Sequence, residues 1–532
     1  MSERVFNKVL VANRGEIAVR IFRACYDLGI HTVAMYSKED TFSLFRTKAD
    51  EAYLIGENKS PLGVYLDIPE IIDLAKRRGV DAIHPGYGFL SENEDFARAC
   101  EANGITFIGP PSDVLGKMGD KLSAKQIAIE CGVPIVPGCT DPIKDGEEAL
   151  KLAKSFGFPV ILKAAAGGGG RGMRLCNCEE EVIPAFELVK GEAKKAFGND
   201  DIFMEKYLVE PKHIEVQILA DKYGNVRHLG ERDCSLQRRY QKVVEFAPAW
   251  SVAPEIRKAL HEDAVKIAKA VGYVNAGTVE FLVDKNGDHY FIEMNPRIQV
   301  EHTVTEMITS VDLVRAQILI AEGADVSHPE IGLGKQEDLK INGYAIQCRV
   351  TTEDPANKFA PDNGKISSYR SGGGFGVRLD GGNVDTGSVI SPYYDSLLVK
   401  VTSWDCTFPA VCRKAARAIN EERVRGVKTN IPFVTNILRH PTFIAGKCHT
   451  KFIDESPELF DFDEGRDRAT RVLKYIANIQ VNNPEVERHQ YDAPRFPKAQ
   501  REINRADGLK QLLDTEGPEA VRDWVLDQKK PL

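Results

Sequence analysis

Long apolar runs, paired cysteines and excess positive charge are all missing from this sequence. No apolar run approaches the roughly 18 residues that a helix needs to cross a bilayer, so no membrane span is predicted. A formal net charge of −8 gives no electrostatic support for binding nucleic acid or an anionic membrane. The eleven cysteines form no CxxC pair, and Cys176 and Cys178, the closest two, are interpreted as structural thiols. With no signal segment before the first apolar strand, a reducing cytoplasmic location is predicted.

Two common nucleotide-binding motifs are also missing. The turn 12–16 lacks GxGxxG, and the glycine-rich run 167–172 lacks the Walker pattern GxxxxGK[ST]. Neither a dinucleotide site nor a P-loop is therefore supported. The glycine run can still present amide hydrogens to phosphate oxygens and act as a lid, although a flexible linker has the same composition.

The composition is that of an ordinary globular protein. Hydrophobic residues make up 43% and charged residues 28%, and 532 residues predict three or more domains. Near the N-terminus, apolar strands at 8–12, 32–36, 82–84 and 106–108 alternate with helical spacing, for example near 68–78. This alternation predicts a parallel sheet wound by helices. Residues 1–118 are interpreted as a Rossmann-like domain without its usual cofactor.

One stretch alternates strictly between polar and apolar residues. In extended backbone that period places every polar side chain on one face, and the polar residues are Glu293, Asn295, Arg297, Gln299 and Glu301. An amphipathic strand with a solvated face has the same pattern. The apolar approach 290–292 and Pro296, which ends a ladder of strand hydrogen bonds, favour a wall of a polar site instead.

A hairpin is predicted just upstream of this stretch. A four-residue loop at 285–288 would pair Asp284 with His289 and place Glu280 opposite Glu293. Two facing carboxylates repel unless a positive charge lies between them. With Asn295 they form an all-oxygen set suited to Mg²⁺ or Mn²⁺.

These residues resemble the metal-binding strands of the ATP-grasp enzymes, and the run 297–302 is similar to their biotin carboxylase branch. The resemblance implies an α/β fold with a Rossmann-like (pre-ATP-grasp) domain, an ATP-grasp lid and central domain, a biotin carboxylase C-terminal domain and a short linker tail. The implied boundaries are 1–118, 119–340 with a lid at about 137–207, 341–455, and 456–532.

The resemblance also implies a role for individual residues. The implied metal ligands are Glu280, Glu293 and Asn295, and the implied catalytic residues are Glu301, Arg349, Lys242 and Arg297. The implied ATP-binding residues are Lys121, Lys163, Gly168, Gly169, Gly170, Met173, Glu205, Lys206, Leu208, His213, Gln237 and Leu282. The implied bicarbonate and biotin contacts are Tyr87, Gly88, Lys242, Arg297, Gln299, Val300, Glu301 and Arg349. One position departs from the family, which usually has histidine where this chain has Tyr240.

The activity that the resemblance implies is carboxylation of biotin at N1, driven by ATP and bicarbonate through carboxyphosphate. ATP, Mg²⁺ or Mn²⁺, bicarbonate and biotin are the expected cofactors. No Ala-Met-Lys-Met attachment run occurs, so biotin is expected on a separate carrier domain. The alternatives are the biotin carboxylase component of an acyl-CoA carboxylase, another ATP-grasp ligase that joins a carboxylate to an amine, and a non-catalytic nucleotide-binding module.

Segments 425–433, 451–455 and 466–470 resemble the pyruvate carboxylase family. The resemblance implies a fragment that forms a homodimer through the biotin carboxylase domain, and a tetramer in the complete enzyme with a carboxyltransferase domain. Acetyl-CoA is a possible partner, because arginines can pair its phosphates bidentately. The implied positions are Arg423, Arg425, Arg466, Asp467 and Arg468.

Overall fold

A computed structural model describes residues 6–139, 141–164, 172–197, 200–382 and 384–462, apart from the side chains of 121–122 and 196–197. Beyond these it describes only 472–473, 475–478, 481, 514–515 and 519–520. The chain divides into two compact units, Met1–Phe462 and Asp463–Leu532. Among the described residues, no helix combines the length and apolar character needed to cross a membrane. The eleven cysteines all lie within the described residues and are free thiols.

The N-terminal part contains a parallel sheet of five strands in the order β3-β2-β1-β4-β5. The strands are β1 (Lys8–Val11), β2 (His31–Tyr36), β3 (Glu51–Leu54), β4 (Ala82–His84) and β5 (Thr106–Phe107). The helices are α1 (Gly15–Asp27), α2 (Pro61–Val64), α3 (Ile68–Arg77) and α4 (Glu94–Ala102). Apolar runs such as Val9 to Val11 are fully buried, as expected for parallel strands covered on both faces. The parallel sheet predicted from the sequence is confirmed.

A second layer connects this sheet to the centre of the molecule. Helices α5 (Ser112–Gly119) and α6 (Lys121–Glu130) lead to a small sheet in the order β7-β6-β8. Its elements are α7 (Gly146–Phe156), β6 (Val160–Ala164), β7 (Met173–Cys176), α8 (Glu179–Phe197) and β8 (Ile202–Lys206). These elements have their own apolar core around Val160, Leu162 and Phe186.

An eight-stranded antiparallel sheet dominates the remainder, in the order β13-β12-β9-β10-β11-β14-β21-β19. Its first elements are β9 (Lys212–Ala220), β10 (Val226–Arg238), β11 (Gln241–Ala247), α9 (Pro254–Ala270), β12 (Asn275–Val283), β13 (His289–Asn295), α10 (His302–Thr309) and α11 (Leu313–Glu322). Strand β14 (Tyr344–Thr351) pairs with β11. The sheet therefore runs without interruption across residue 340, where the sequence predicted a domain boundary.

The C-terminal elements complete this sheet and cover it. They are β15 (Glu353–Asp354), β16 (Ala360–Pro361), β17 (Gly364–Lys365), β18 (Ser368–Arg370), β19 (Val377–Gly381), β20 (Val389–Ile390), β21 (Leu397–Asp405), α12 (Phe408–Glu421), β22 (Arg423–Arg425), α13 (Ile431–Arg439), α14 (Pro441–Ile444) and α15 (Phe452–Glu455). Short 3₁₀ helices lie at Lys38–Asp40, Leu44–Lys48, Gln336–Asp338, Pro355–Asn357 and Pro457–Phe460.

The predicted hairpin is present, and Glu280 lies opposite Glu293 as expected, but the predicted pairing at the loop is wrong by one residue. Val283, not Asp284, pairs with His289, and the Asp284 amide instead donates to the carbonyl of Asp288 at 2.9 Å. A register shift between Glu280 and Phe281 then restores the pairing of Glu280 with Glu293, because a bulge adds one residue to one strand. Strand β13 ends at Asn295, directly before the proline.

Candidate active site

The ammonium of Lys242, on β11, is the centre of the site. It donates to Glu215 at 2.6 Å, to Glu280 at 3.0 Å and to Glu301 at 2.6 Å. All three carboxylates are buried. Burial alone would lower the pKa of Lys242, but these carboxylates more than offset it and hold that pKa well above its usual value. The lysine therefore stays charged and neutralises a cluster of acids that would otherwise repel one another.

Both oxygens of the Glu280 carboxylate are engaged by nitrogen atoms. Its Oε1 accepts from Lys242 at 3.0 Å, from Asn295 Nδ2 at 3.0 Å and from Gln299 Nε2 at 2.8 Å. Its Oε2 lies 2.9 Å from His213 Nε2. Burial opposes ionisation of Glu280, yet the neighbouring Lys242 and His213 bring its pKa well below the usual value. A divalent cation would bind this carboxylate by replacing some of these partners.

Arg232, on β10, fixes the orientation of Gln299. Its guanidinium is fully buried and donates to Gln299 Oε1 at 2.7 Å, to Gln217 Oε1 at 2.7 Å and to the carboxylate of Glu215. Hydroxyls of Thr278 and Thr305 accept its remaining hydrogens at 3.1 and 3.0 Å. Because the Gln299 oxygen is bound to Arg232, the amide hydrogens of Gln299 are directed at Glu280.

Arg349, on β14, joins Glu301 to a further acid. Its Nε donates to Glu245 at 2.5 Å and its NH2 to Glu301 Oε2 at 3.1 Å. Burial raises the pKa of Glu245, and Arg349 only partly reverses that effect. Burial would also raise the pKa of Glu301, but Lys242 and Arg349 together bring it below the usual value. Glu301 is thus ionised and held between two cations.

Arg297 lies at the outer side of the same cluster. It donates to Glu92 at 2.5 Å, to the carbonyl of Ile298 at 3.2 Å and to Asn295 Oδ1 at 2.9 Å. Glu293 faces Glu280 in the register of β12 and β13, and Asn295 faces Thr278. Glu280, Glu293 and Asn295 therefore lie on two adjacent strands and carry side-chain oxygens of the kind that Mg²⁺ and Mn²⁺ prefer. A cation at Asn295 would replace Arg297 at its Oδ1. The residues present fit a divalent cation.

The loop that follows β4 reaches this region from the N-terminal sheet. The Asn13 amide donates to the carbonyls of Pro85 and Tyr87 at 2.7 and 2.8 Å, and the Tyr87 hydroxyl donates to Glu16. Gly86, at φ +64°, lies so close that a Cβ atom would approach Asn13 Nδ2 to 2.8 Å. Glycine is required there because the asparagine has to reach the loop.

On β8, within the predicted lid, the Glu205 carboxylate accepts from both Lys163 and Lys125. Burial opposes ionisation of Glu205, but these two lysines lower its pKa below the usual value. Lys206 donates through Nζ to the carbonyls of Gly157 and Phe158 at 2.7 and 2.9 Å. An ATP contact at Lys206 would therefore use main-chain groups or displace these bonds.

Several other positions singled out from the sequence lie elsewhere in the structure. His213 Nδ1 lies 2.9 Å from Gln237 Nε2, so the two form one pair beside Glu280. Tyr240 lies at the tip of the β10–β11 hairpin with φ +67°, and 67% of its surface is exposed. Arg423 and Arg425 lie on β22, which pairs with β18. The predicted positions outside the described residues are Gly168, Gly169, Gly170, Arg466, Asp467 and Arg468, together with the side chain of Lys121.

Sequence reasoning missed several residues that hold the site together. They are Glu16, Glu92, Lys125, Glu215, Arg232, Glu245 and Lys400. A signal was present in β9, where His213, Glu215 and Gln217 alternate with buried aliphatic residues. Polar groups at every second position of an interior strand indicate a site rather than solvent.

Comparisons with known proteins show the family to which the chain is similar. Residues 5–115 match the family "Biotin carboxylase, N-terminal domain", residues 120–328 the "Carbamoyl-phosphate synthase L chain, ATP binding domain", and residues 347–455 the "Biotin carboxylase C-terminal domain". The biotin carboxylase domain of Hydrogenobacter thermophilus 2-oxoglutarate carboxylase, solved as a dimer with MgADP, ADP and bicarbonate, is 51% identical. It has a TM-score of 0.80 and aligns over 86% of this chain and 99% of its own. The biotin carboxylase subunit of a pyruvate carboxylase is 50% identical over 86% of this chain and 100% of its own, with a TM-score of 0.76.

The chain belongs to the biotin carboxylase family and is an ATP-dependent ligase of that class. Pyruvate carboxylases are among its curated relatives. That of Bacillus subtilis is 55% identical over 100% of this chain and 47% of its own length, so the chain spans about half the length of the relatives it matches. It aligns with the complete Rhizobium etli pyruvate carboxylase at 44% identity and a TM-score of 0.74.

Proposed function

We propose that this chain carboxylates biotin at N1, using ATP and bicarbonate, as the first half-reaction of a pyruvate carboxylase. The observation that carries the proposal is the convergence of Lys242 and Arg349 on Glu301, beside the carboxylate of Glu280. Glu301, held between Lys242 and Arg349, is suited to removing a proton from a bound anion. Neither a carboxylate–amine ligase nor a non-catalytic nucleotide-binding module requires that arrangement.

Bicarbonate would enter the cationic region bounded by Lys242, Arg297 and Arg349. The bicarbonate oxygens would accept hydrogen bonds from Lys242, which would weaken the ion pair between Lys242 and Glu301. The pKa of Glu301 would then rise from its lowered value, and the carboxylate would become a better base. It would remove the bicarbonate proton as the bicarbonate oxygen attacks the γ-phosphorus of ATP, which forms carboxyphosphate and releases ADP.

Glu280, Glu293 and Asn295 would hold Mg²⁺ or Mn²⁺, which when bound supplies charge neutralisation for the nucleotide phosphates. His213, 2.9 Å from Glu280, and its partner Gln237 would contact the nucleotide, as would Lys163, which pairs with Glu205. Phosphate oxygens would draw Lys163 away from Glu205, because phosphate also accepts strong charge-assisted hydrogen bonds.

Biotin would approach between the loop at Tyr87 and Arg349. Carboxyphosphate would break down to CO₂ and phosphate, and the phosphate would take the N1 proton of biotin. The ureido oxygen would then carry negative charge that Arg349 can stabilise, and N1 would attack CO₂ to form the new C–N bond. Closure of the site would keep water from the short-lived carboxyphosphate.

The test is phosphate release from MgATP by the wild-type chain, measured in CO₂-depleted buffer, with added bicarbonate, and with bicarbonate plus free biotin. We expect slow release that requires bicarbonate and is stimulated by biotin, with labelled carboxybiotin as the second product. Phosphate release that is independent of bicarbonate would contradict the proposal.

The partners of the complete protein belong to the same proposal. Biotin carboxylase domains of a relative form a dimer, and Rhizobium etli pyruvate carboxylase has been solved with acetyl-CoA. We propose a comparable dimer for this chain, and a carrier domain and a carboxyltransferase domain in the complete enzyme. Acetyl-CoA contacts at Arg423, Arg425, Arg466, Asp467 and Arg468, and a location in the cytoplasm, stay predictions.

A further inference from the structure

A fully buried lysine joins two parts of the site that the proposed mechanism treats separately. Lys400 lies on β21 and none of its side chain is exposed. Its ammonium donates to the carbonyl of Val300 at 3.0 Å and lies 3.0 Å from Glu16 Oε1. Val300 directly precedes Glu301, whereas Glu16 lies in the first turn of α1.

The same oxygen of Glu16 also accepts the hydrogen of the Tyr87 hydroxyl. The contacts therefore run from Tyr87 through Glu16 and Lys400 to the main chain of Val300. One end of this series of contacts, Tyr87, lies in the loop proposed to face biotin. The other end, Val300, lies in the turn proposed to hold bicarbonate.

The surrounding packing keeps these groups close. Gly382, just after β19, lies so near the start of α1 that a Cβ atom would approach the Glu16 amide nitrogen to 2.6 Å. Burial raises the pKa of Glu16, and Lys400 only partly offsets that effect. A charged lysine without solvent is costly unless its partners stay in place, so movement at either end is expected to disturb the other.

We propose that Lys400 is a positioning residue. It fixes the position of the biotin-facing loop at Tyr87 relative to the turn at Val300 and Glu301, where bicarbonate is proposed to bind. It holds the Val300 carbonyl, and with it the direction of the Val300 amide and the Glu301 carboxylate. Through Glu16 it also holds the Tyr87 hydroxyl. The inference rests on the proposed function, since it names how two substrate sites of that function are aligned.

The first test uses Tyr87→Phe in the absence of biotin. Bicarbonate-dependent phosphate release is measured as a function of bicarbonate concentration, at saturating ATP. Loss of one hydrogen bond to Glu16 should raise the KM for bicarbonate about three- to tenfold, although no biotin is present. Tyr65→Phe is the matched control, because the Tyr65 hydroxyl is buried and donates to the Asp40 carboxylate at 2.7 Å. That control should leave the KM unchanged.

The second test uses Lys400→Met, with Lys400→Arg as the conservative variant. We expect the KM values for bicarbonate and free biotin to rise together, the KM for ATP to stay the same, and arginine to restore part of the loss. Lys414→Met is the control, because Lys414 donates to the Trp404 carbonyl at 2.7 Å and lies 2.9 Å from Asp405. If Lys400→Met does not fold, the Tyr87→Phe result decides.

Failure of the proposed role of Lys400 and failure of the proposed function would give different results. A wild-type chain without bicarbonate-dependent phosphate release would contradict the proposed function itself. An active wild type with an unchanged bicarbonate KM in Tyr87→Phe would overturn the role of Lys400. Equal changes in all three KM values in Lys400→Met would overturn it as well, since a general structural defect gives that pattern.

Discussion

At the scale of single residues, the ammonium of Lys242 competes for the carboxylate that a metal would use. It lies 3.0 Å from Glu280 Oε1 and is also bound to two other acids. Metal binding at Glu280 is therefore an exchange of one cation for another. The lysine that leaves Glu280 still has Glu301 and incoming bicarbonate as partners.

Lys242→Met should bind Mn²⁺ more tightly than the wild type in the absence of nucleotide. A unit charge removed from about 4 Å is worth about 1 kcal/mol even at the dielectric constant of water, which corresponds to about fivefold in affinity. Free Mn²⁺ is measured by electron paramagnetic resonance. Lys266→Met, which removes a lysine paired with Asp263, serves as the control. Unchanged or weaker binding in Lys242→Met would show that the lysine and the metal do not compete.

Glu301→Ala should lose bicarbonate-dependent phosphate release by about 10²-fold, as expected when a general base is removed. Nucleotide binding, followed by a fluorescent ATP analogue, should stay close to wild type. The side-chain partners of Glu301 are Lys242 and Arg349, and among the described residues neither is assigned to ATP. A variant that loses only nucleotide affinity would make Glu301 a binding residue instead.

At the scale of elements, the β10–β11 hairpin shows a conflict between local conformation and sequence. Arg239 and Tyr240 have φ values of +49° and +67°, as in the two-residue turns that favour Asn-Gly. Side chains with a Cβ atom are strained in this region of φ. The turn retains them beside Gln237 and Lys242, which are proposed to bind ATP and bicarbonate, and we infer that the tyrosine contributes to that binding.

Tyr240→Gly should therefore stabilise the fold by about 1 kcal/mol and raise the KM for ATP. Denaturant unfolding and ATP titration of phosphate release measure the two effects. Tyr240→His, which restores the residue usual in the family, should change the KM with little gain in stability. A glycine variant that is less stable than the wild type would argue against strain at this position.

The hairpin at Glu280 shows which features of the fold could be predicted from the sequence and which could not. Period and turn residues were sufficient to place Glu280 opposite Glu293, although the extra residue of the bulge was not visible and the loop pairing was wrong by one residue. The bounds of β1, β2, β4, β5 and α3 were predicted to within a residue, because their apolar runs or helical spacing are clear in the sequence. Strand β3, which is only partly buried, was not predicted. The pairs Arg232–Gln299 and Lys400–Glu16 were not predictable, because they join residues far apart in sequence and no local period contains them.

At the scale of the whole molecule, the eight-stranded sheet continues across residue 340, the predicted boundary between the ATP-grasp and C-terminal domains. Strands β11 and β14 lie on either side of that residue in sequence and are adjacent in the sheet, with Phe246 opposite Ile346. The part that follows residue 340 also supplies Arg349 and Lys400 to the site.

A chain that ends at residue 340 should fail to fold cooperatively. It would expose the edge of β11 and the apolar surface around Val244 and Phe246, which are buried against the C-terminal elements. Size-exclusion chromatography and thermal unfolding by circular dichroism measure this. The chain 1–462 is the control and should unfold in one sharp transition. A monomeric, cooperatively unfolding 1–340 fragment would contradict the prediction.

The ion pair between Glu245 on β11 and Arg349 on β14 has a consequence for how such proteins diverge. Backbone pairing between β11 and β14 is compatible with many side chains. Recombination between two related genes near residue 340 would therefore preserve the hydrogen bonds between these strands. The carboxylate and the guanidinium, however, would then come from different parents, and a mismatch would bury one charge alone. Crossovers that keep both partners from one ancestor should survive more often, so Glu245 and Arg349 are expected to be inherited together as a linked pair.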